Sequence, residues 1–478
     1  MSRSELINLS ALKAAALIRR KKLSPVEYMD AVLAQVDALE PKVNAFITLT
    51  ADSARAQARK AEQAVMDGAP LGPLHGVPTG IKDLLPTKGV KTTFGSKAFA
   101  DNVPDHDDIL VTRLNAAGAI MIGKTTTPEF GIKGQTDAPL YGVTRNPWDL
   151  SRTSGGSSGG AAASVAAGMG PISLGSDGAG SVRIPAACCG LVGMKGTTGT
   201  VPYQQARESL GNPVMAGPLT RTVADAVLMQ SVMAGPDPMD PWTDHAGPIT
   251  LLSPKLLSQD LSGIRIGYLS RCANKVVASD VEAATLKALK SFEAMGAYVE
   301  EVKTPIDWMV QQQRVLYTSS IRTFLGPLVE KWGPQLDPVL IAYIEAGAPW
   351  SITDYMRAVV AKTELLRAVQ RLFGQYDYLV SPTLTRTALD ANYDSAKGTV
   401  EIDGEQVGST QAGWTAYMYP FNLSGNPALT VPSGFGDDSL PLGVQIIGPR
   451  HADGDVFRLG ALLETANPWA DKWPEIVG

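Results

Sequence analysis

Residues 151–200 read SRTSGGSSGGAAASVAAGMGPISLGSDGAGSVRIPAACCGLVGMKGTTGT, a stretch unusually dense in Gly, Ser and Ala. Glycine costs backbone entropy, so a folded chain keeps such a run where backbone must approach something closely or adopt positive φ. The apolar residues 171–174 predict a buried strand, which opens into Ser176-Asp177-Gly178-Ala179-Gly180-Ser181, where the chain must turn sharply. Small residues leave the amides of Gly178, Ala179, Gly180 and Ser181 uncrowded, so they can converge on one anion. Beside a serine hydroxyl such a nest is an oxyanion hole. A second serine-bearing turn, Gly155-Gly156-Ser157-Ser158-Gly159-Gly160, lies just upstream.

A serine hydroxyl is a weak nucleophile and needs an adjacent base. The chain has four histidines, His75, His106, His245 and His451, and none sits in a local catalytic setting. Residues 76–83, GVPTGIKD, instead present Lys82 among loop-forming and apolar neighbours. Lysine acts as a base only when neutral, and lowering its pKa from ~10.4 by desolvation costs about 1.4 kcal/mol per unit. Lys82 is therefore expected to be buried among hydrogen bonds and neutral groups. Taken alone it would read as a surface charge, and Ser157 and Ser181 as turn formers; the three blocks together reverse that reading.

The blocks LHGVPTGIKD, GGSSGG and GSDGAGSVRIPAACCG resemble the amidase signature family. The resemblance extends over most of the chain, through LSPVEYMDAVLAQVDALEPKVNAF, AGAIMIGKTTTPEF, YGVTRNPWDLSRTSGGSSGG, FNLSGNPALTVPSG and LPLGVQIIGPR, in the family's order. It implies a Ser, cis-Ser, Lys triad: Ser181 as nucleophile, Ser157 as bridging serine after a cis peptide bond, and Lys82 as general base. It also implies support from Ser158, Asp177 and Arg183, and a chemistry that needs no metal or organic cofactor. Two positions depart from the family pattern. Its pair of glycines before the nucleophile is Ala179-Gly180 here, and the proline common before GGSSGG is Ser154. Ala179 keeps its N–H, so the hole survives unless that position needs positive φ.

Two other motifs compete. Gly155-Gly156-Ser157-Ser158-Gly159 matches the G-x-S-x-G nucleophile elbow, but that elbow follows a strand, and none is expected here; it also needs a downstream acid and histidine. Residues 118–125, GAIMIGKT, satisfy the phosphate-loop pattern literally. Their apolar centre is the strand itself, whereas a phosphate loop comes after one.

The 478-residue chain is 44% hydrophobic and 19% charged, which places it among globular proteins. A net charge of −5 shows no basic excess to collect nucleic acid by long-range attraction. Cys188, Cys189 and Cys272 have no metal or redox spacing and suit free thiols in a reducing compartment. No apolar run approaches the ~20 residues of a membrane helix. The expectation is a cytoplasmic protein without nucleic-acid or membrane partners, a monomer or homodimer, acting on a small amide or carbamate.

Ser10 and Ser24-Pro25-Val26-Glu27 predict helix starts, the second helix running to about Leu39. A strand is expected over 43–49, a helix over 51–67, and a second capping box at Ser279-Asp280-Val281-Glu282 between strands at 264–269 and 297–302. Residues 303–375 read as a helical excursion before a strand at 378–380. Strands alternating with helices predict one α/β/α domain spanning 1–478; the family resemblance implies a mixed central sheet and a signature core over about 70–200. Trp308, Tyr317, Trp332, Trp350, Trp414, Tyr417 and Tyr419 are candidates to line a pocket, core packing being the alternative for each.

Within this family the alternatives are a stand-alone amidase, extending to aryl esters and urethanes, and the glutaminase component of a tRNA-dependent amidotransferase. A third reading, from another class, is a catalytically silent binding protein on the same scaffold.

Overall fold

The computed structural model describes residues 1–208, 211–243 and 260–478. Local signals place the first helices as expected. Ser10 caps Ala11–Arg19 by accepting the Lys13 amide, and Ser24 caps Pro25–Val43 by accepting those of Val26 and Glu27. The second helix runs past Leu39 and through Pro41 before Asn44 ends it in the left-handed region at φ 55°. The strand expected from Val43 therefore begins only at Phe46.

The capping box expected at Ser279 does not form. Helix Ser279–Ala294 carries no side-chain cap at its N-cap, Ala278. Two distant loops take over the polar groups there: Asp403 accepts the Ser279 amide at 3.0 Å, and Asp280 accepts that of Asp437 at 3.1 Å.

Eleven strands form one mixed sheet. In chain order they are β1 (Phe46–Leu49), β2 (Pro78–Lys82), β3 (Ile120–Thr125), β4 (Ile172–Asp177), β5 (Val192–Lys195), β6 (Met215–Thr220), β7 (Arg265–Tyr268), β8 (Tyr298–Glu301), β9 (Tyr378–Pro382), β10 (Ala428–Phe435) and β11 (Pro441–Ile447). Their spatial order is β1-β3-β2-β4-β6-β5-β10-β11-β9-β7-β8. Strand β2 runs parallel to both β3 and β4, and β7 to β8 and β9; the other pairs are antiparallel. One sheet runs through the whole chain, which makes this a single α/β/α domain.

Strand alternation assigns the two faces different work. Ile81, Ile172, Leu174, Val192, Met194, Val444 and Ile446 join apolar clusters with helices Val223–Met233 and Asp453–Ala466. Their neighbours Lys82, Gly175, Asp177, Gly193 and Gln445 fall on the other face by the same alternation. Helices Gly159–Ala166 and Arg183–Cys189 lie there. Gly175 marks how closely they approach, since a Cβ there would lie 2.8 Å from Ser158 Oγ.

Between β8 and β9 the chain makes the helical excursion, with helices Val310–Leu325, Leu328–Trp332, Pro338–Ala346 and Ile352–Leu372. Ile321, Leu325, Leu336, Val339, Leu340 and Ile344 from this region cluster with Ile132 of the core. Among the described residues no helix is long and apolar enough to cross a membrane.

Gly175→Ala should destabilise the fold by overpacking, by about 1–3 kcal/mol, because Ser158 Cβ and a Val182 methyl each stand 3.1 Å from the added carbon. A denaturant midpoint that matches wild type would show that this helix layer yields more readily than its contacts imply.

Candidate active site

Lys82 ends β2, and with Ile81 committed to the apolar face its side chain enters the other. It is 0% exposed. Nζ hydrogen-bonds to Ser157 Oγ at 2.7 Å, Ser158 Oγ at 2.8 Å and the Ser176 carbonyl at 3.4 Å. Burial pulls its pKa down to about 7, against the opposing charge of Asp177. A neutral amine is thus accessible near physiological pH, as the sequence required.

Ser157 sits between the short strand Asp149–Thr153 and helix Gly159–Ala166, and the Gly156–Ser157 peptide is cis. A strand does precede this turn, contrary to expectation, so the local shape alone fits a nucleophile elbow. Its chemistry does not. The Ser157 hydroxyl meets Lys82, while His75 bonds the Ala61 carbonyl and His106 pairs with Asp105 at the surface. The His451 amide bonds Thr197, and His245 lies outside the described residues.

Ser181 follows the turn that ends β4 and stands half-buried at its rim. The Ser158 amide donates to the Ser181 carbonyl at 3.1 Å, which fastens the two serine turns together. Among the described residues no hydrogen bond joins the Ser157 and Ser181 hydroxyls. Gly180 has φ 108° and a Cβ there would lie 2.5 Å from Met418 Cγ, so this position demands glycine. Ala179 is not among the residues with positive φ, which is why alanine is tolerated where the family pattern has glycine. One expected oxyanion donor is lost: the Gly180 amide donates to Asp177 Oδ1 at 2.7 Å. The strand-end carboxylate folds back over its own turn and takes that hydrogen. Gly178, Ala179 and Ser181 remain as candidate donors.

Asp177 and Arg183 brace this turn. The guanidinium meets both carboxylate oxygens at 2.9 Å, through Nε and Nη2. It also donates to Gln445 Oε1 at 2.6 Å, Asn422 Oδ1 at 2.6 Å and the Met418 carbonyl at 3.2 Å. Asn422 returns its amide to the Asp177 carbonyl at 2.9 Å and to Oδ1 at 3.0 Å. Although Asp177 is buried, these donors hold its carboxyl well below the usual range, so it stays charged. Asn422 and Gln445 lie in FNLSGNPALTVPSG and LPLGVQIIGPR. Their sequence signal was a polar residue inside an apolar strand or turn, which by itself names no partner.

The remaining motif residues find structural places. Lys124 lies on β3 and bonds the Leu85 carbonyl, Thr92 Oγ1 at 2.9 Å and Thr87 Oγ1 at 3.1 Å, so the phosphate-loop reading fails. Cys188 and Cys189 pack in the core. Tyr417 and Trp414 are fully buried and donate to the carbonyls of Ser270 and Arg386. Tyr317 bonds the Ile132 carbonyl and Trp350 bonds Thr318. Trp332 flanks the cluster of Ile321 and Leu340. Tyr419 and Trp308, joined by a 2.7 Å hydrogen bond, belong to the apolar cluster against which Ala179 packs.

Residues 27–457 match the amidase family model. An acylamidase of Rhodococcus erythropolis is 38% identical, over 99% of this chain and 98% of that protein. A glutamyl-tRNA(Gln) amidotransferase subunit from Cyanothece sp. (strain PCC 7425 / ATCC 29141) is 34% identical, over 95% of this chain and 97% of its own length. Among solved structures, a bacterial aryl acylamidase of the amidase signature family superposes with a TM-score of 0.89 at 31% identity, covering 98% of each chain. A 6-aminohexanoate cyclic dimer hydrolase, solved with its substrate, gives a TM-score of 0.87 at 27% identity over 99% of this chain and 100% of that one.

Arg183→Leu should destabilise the protein by about 3–5 kcal/mol, since it strands the Asp177 carboxylate without its cation. Asn422→Ala removes one acceptor and one amide from the same network and should cost about 1–3 kcal/mol. Urea titrations that leave Arg183→Leu within about 1 kcal/mol of wild type, the worth of a surface pair, would remove the network's bracing role.

Proposed function

The chain belongs to the amidase signature family and is an amide-bond hydrolase, and on that premise we propose that Ser181 is its acyl-accepting nucleophile, Ser157 its proton relay and Lys82 its base. The observation that carries this reading is the fully buried Lys82 amine, 2.7 Å from Ser157 Oγ. Neutral Lys82 takes the Ser157 proton, Ser157 takes that of Ser181, and Ser181 Oγ attacks the substrate carbonyl. Amides of the Gly178–Ser181 turn then face the oxyanion, those of Gly178, Ala179 and Ser181 being uncommitted. Collapse of the tetrahedral intermediate expels the amine, which recovers a proton along the same path. Water hydrolyses the acyl-enzyme by the same route.

The substrate in this reading is a small, uncharged acyl or aryl amide, with aryl esters and urethanes as further candidates. Ala179, next to the nucleophile turn, packs against a cluster that includes Leu269, Met309, Leu365 and Tyr419. Such a wall suits an apolar substituent better than the charged backbone groups of glutamine. The relatives named acylamidase and aryl acylamidase point the same way. The chain works without a partner protein, and its three free thiols suit a reducing cytoplasm.

Purified chain should hydrolyse an anilide and leave glutamine intact; release of ammonia from glutamine with no anilide turnover would overturn the substrate assignment. Ser181→Ala should lower kcat by at least about a thousandfold. Because the base must be unprotonated, and burial lowers its pKa to about 7, kcat/KM should rise with pH through about 7 and then level off. Lys82→Ala should abolish that limb together with the activity, and full turnover by this variant at pH 8 would contradict its role as base.

A further inference from the structure

After β3 the chain crosses the site as the loop of residues 128–137, and its two sides hold different things. The inner side packs on the Ser157 turn. Thr136 Oγ1 donates to the Gly155 carbonyl at 2.8 Å and accepts the Gly159 amide at 3.1 Å, so one hydroxyl spans Ser157 from both directions. Gly156 is so close to the loop that a Cβ would lie 2.6 Å from the Gln135 carbonyl oxygen. Gly131, at φ 72°, would bring a Cβ within 3.1 Å of Ser157 Oγ itself.

The outer side is held by the helical excursion. Lys133 is buried, and its ammonium donates to Asp337 Oδ2 at 2.6 Å and to Asp137 Oδ2 at 2.7 Å. Asp337 caps helix Pro338–Ala346 with its other oxygen, through the Val339 amide at 2.8 Å. Its own amide donates to Glu129 Oε2 at 2.6 Å, and Glu129 Oε1 accepts the Ser96 hydroxyl at 2.5 Å. Three carboxylates therefore gather here, and Lys133 is the cation bonded to two of them.

We propose that Lys133 is a positioning residue for the hydrolysis: by tying the 128–137 loop to Asp337 of the helical excursion, it holds that loop closed against Ser157 and keeps water from the Lys82 amine. The inference rests on the roles assigned above to Lys82 and Ser157. Lys82 faces the hydroxyls of Ser157 and Ser158, the Ser176 carbonyl, and the charge of Asp177 on β4. Asp83, next in sequence, instead accepts from Thr93 and stands 4.0 Å from Lys124. What lowers the Lys82 pKa is exclusion of water, so a loosened loop restores its hydration and raises it.

The test is the pH profile of kcat/KM for anilide hydrolysis by wild type, Lys133→Met, Asp337→Asn and the double variant, with a thermal midpoint for each. Asp337→Asn keeps a side chain able to cap the helix and removes only the charge, so it decides the matter if Lys133→Met does not fold. Both single variants should move the acid limb upward by about one pH unit, which lowers the rate below that limb by roughly tenfold. The change should fall on kcat more than on KM, and the double variant should be no worse than the poorer single. A limb that stays with wild type, with activity lost only in proportion to folded protein, would overturn the proposal and leave Lys133 structural. A wild type that lacks any limb near pH 7 would instead overturn the roles assigned to Lys82 and Ser157, and this inference with them.

Discussion

A lysine amine buried beyond the reach of water is the constraint from which the rest of this site follows. Water stabilises an ammonium ion far better than a protein interior does, so burial favours the neutral form. Lys82 then needs partners that accept and donate without imposing a charge, and two serine hydroxyls and a carbonyl supply them at 2.7, 2.8 and 3.4 Å. Those hydroxyls sit on a turn that closes on β2 and β4 because glycines surround it. The composition of residues 151–200 is thus the consequence of bringing three pieces of backbone onto one amine.

The opposite charge that acts on Lys82 is that of Asp177, and its carboxylate could have undone this arrangement by drawing a proton onto the amine. Arg183 prevents that. A bidentate guanidinium, with Asn422 and the Gly180 amide, takes the Asp177 oxygens, so the carboxylate is committed elsewhere. The same carboxylate shapes the turn after β4, where it accepts the amides of Gly180, Val182 and Arg183.

Much of this was legible in the chain. Ser10 and Ser24 marked helix starts because a capping hydroxyl acts over three residues, and an apolar run ahead of a small-residue turn marked β4. The excursion over 303–375 was visible because the stretch is rich in long aliphatic and aromatic side chains. Where expectation failed, a distant group had taken over a local one. Ser279 does not cap its helix because the helix starts one residue earlier, with Ala278 as N-cap, and Asp403, far along the chain, accepts the Ser279 amide. Gly180 is no free donor because the Asp177 carboxylate turns back on it. Asn422 and Gln445 stood out only as polar residues within apolar blocks, since nothing local says that a single arginine reaches both.

The sequence by itself determined which groups are on offer: serine hydroxyls on small-residue turns, a lysine flanked by apolar residues, backbone that must come close around them, and one α/β/α unit to carry them. Those properties follow from side-chain identity and from periodicities a few residues long. The tertiary structure decided which of these groups meet, which amides stay uncommitted, and how dry the lysine is. These depend on contacts between segments tens to hundreds of residues apart, such as β2 with the Ser157 turn and Arg183 with β11. No local pattern encodes such contacts, because solvent exclusion belongs to the packed whole.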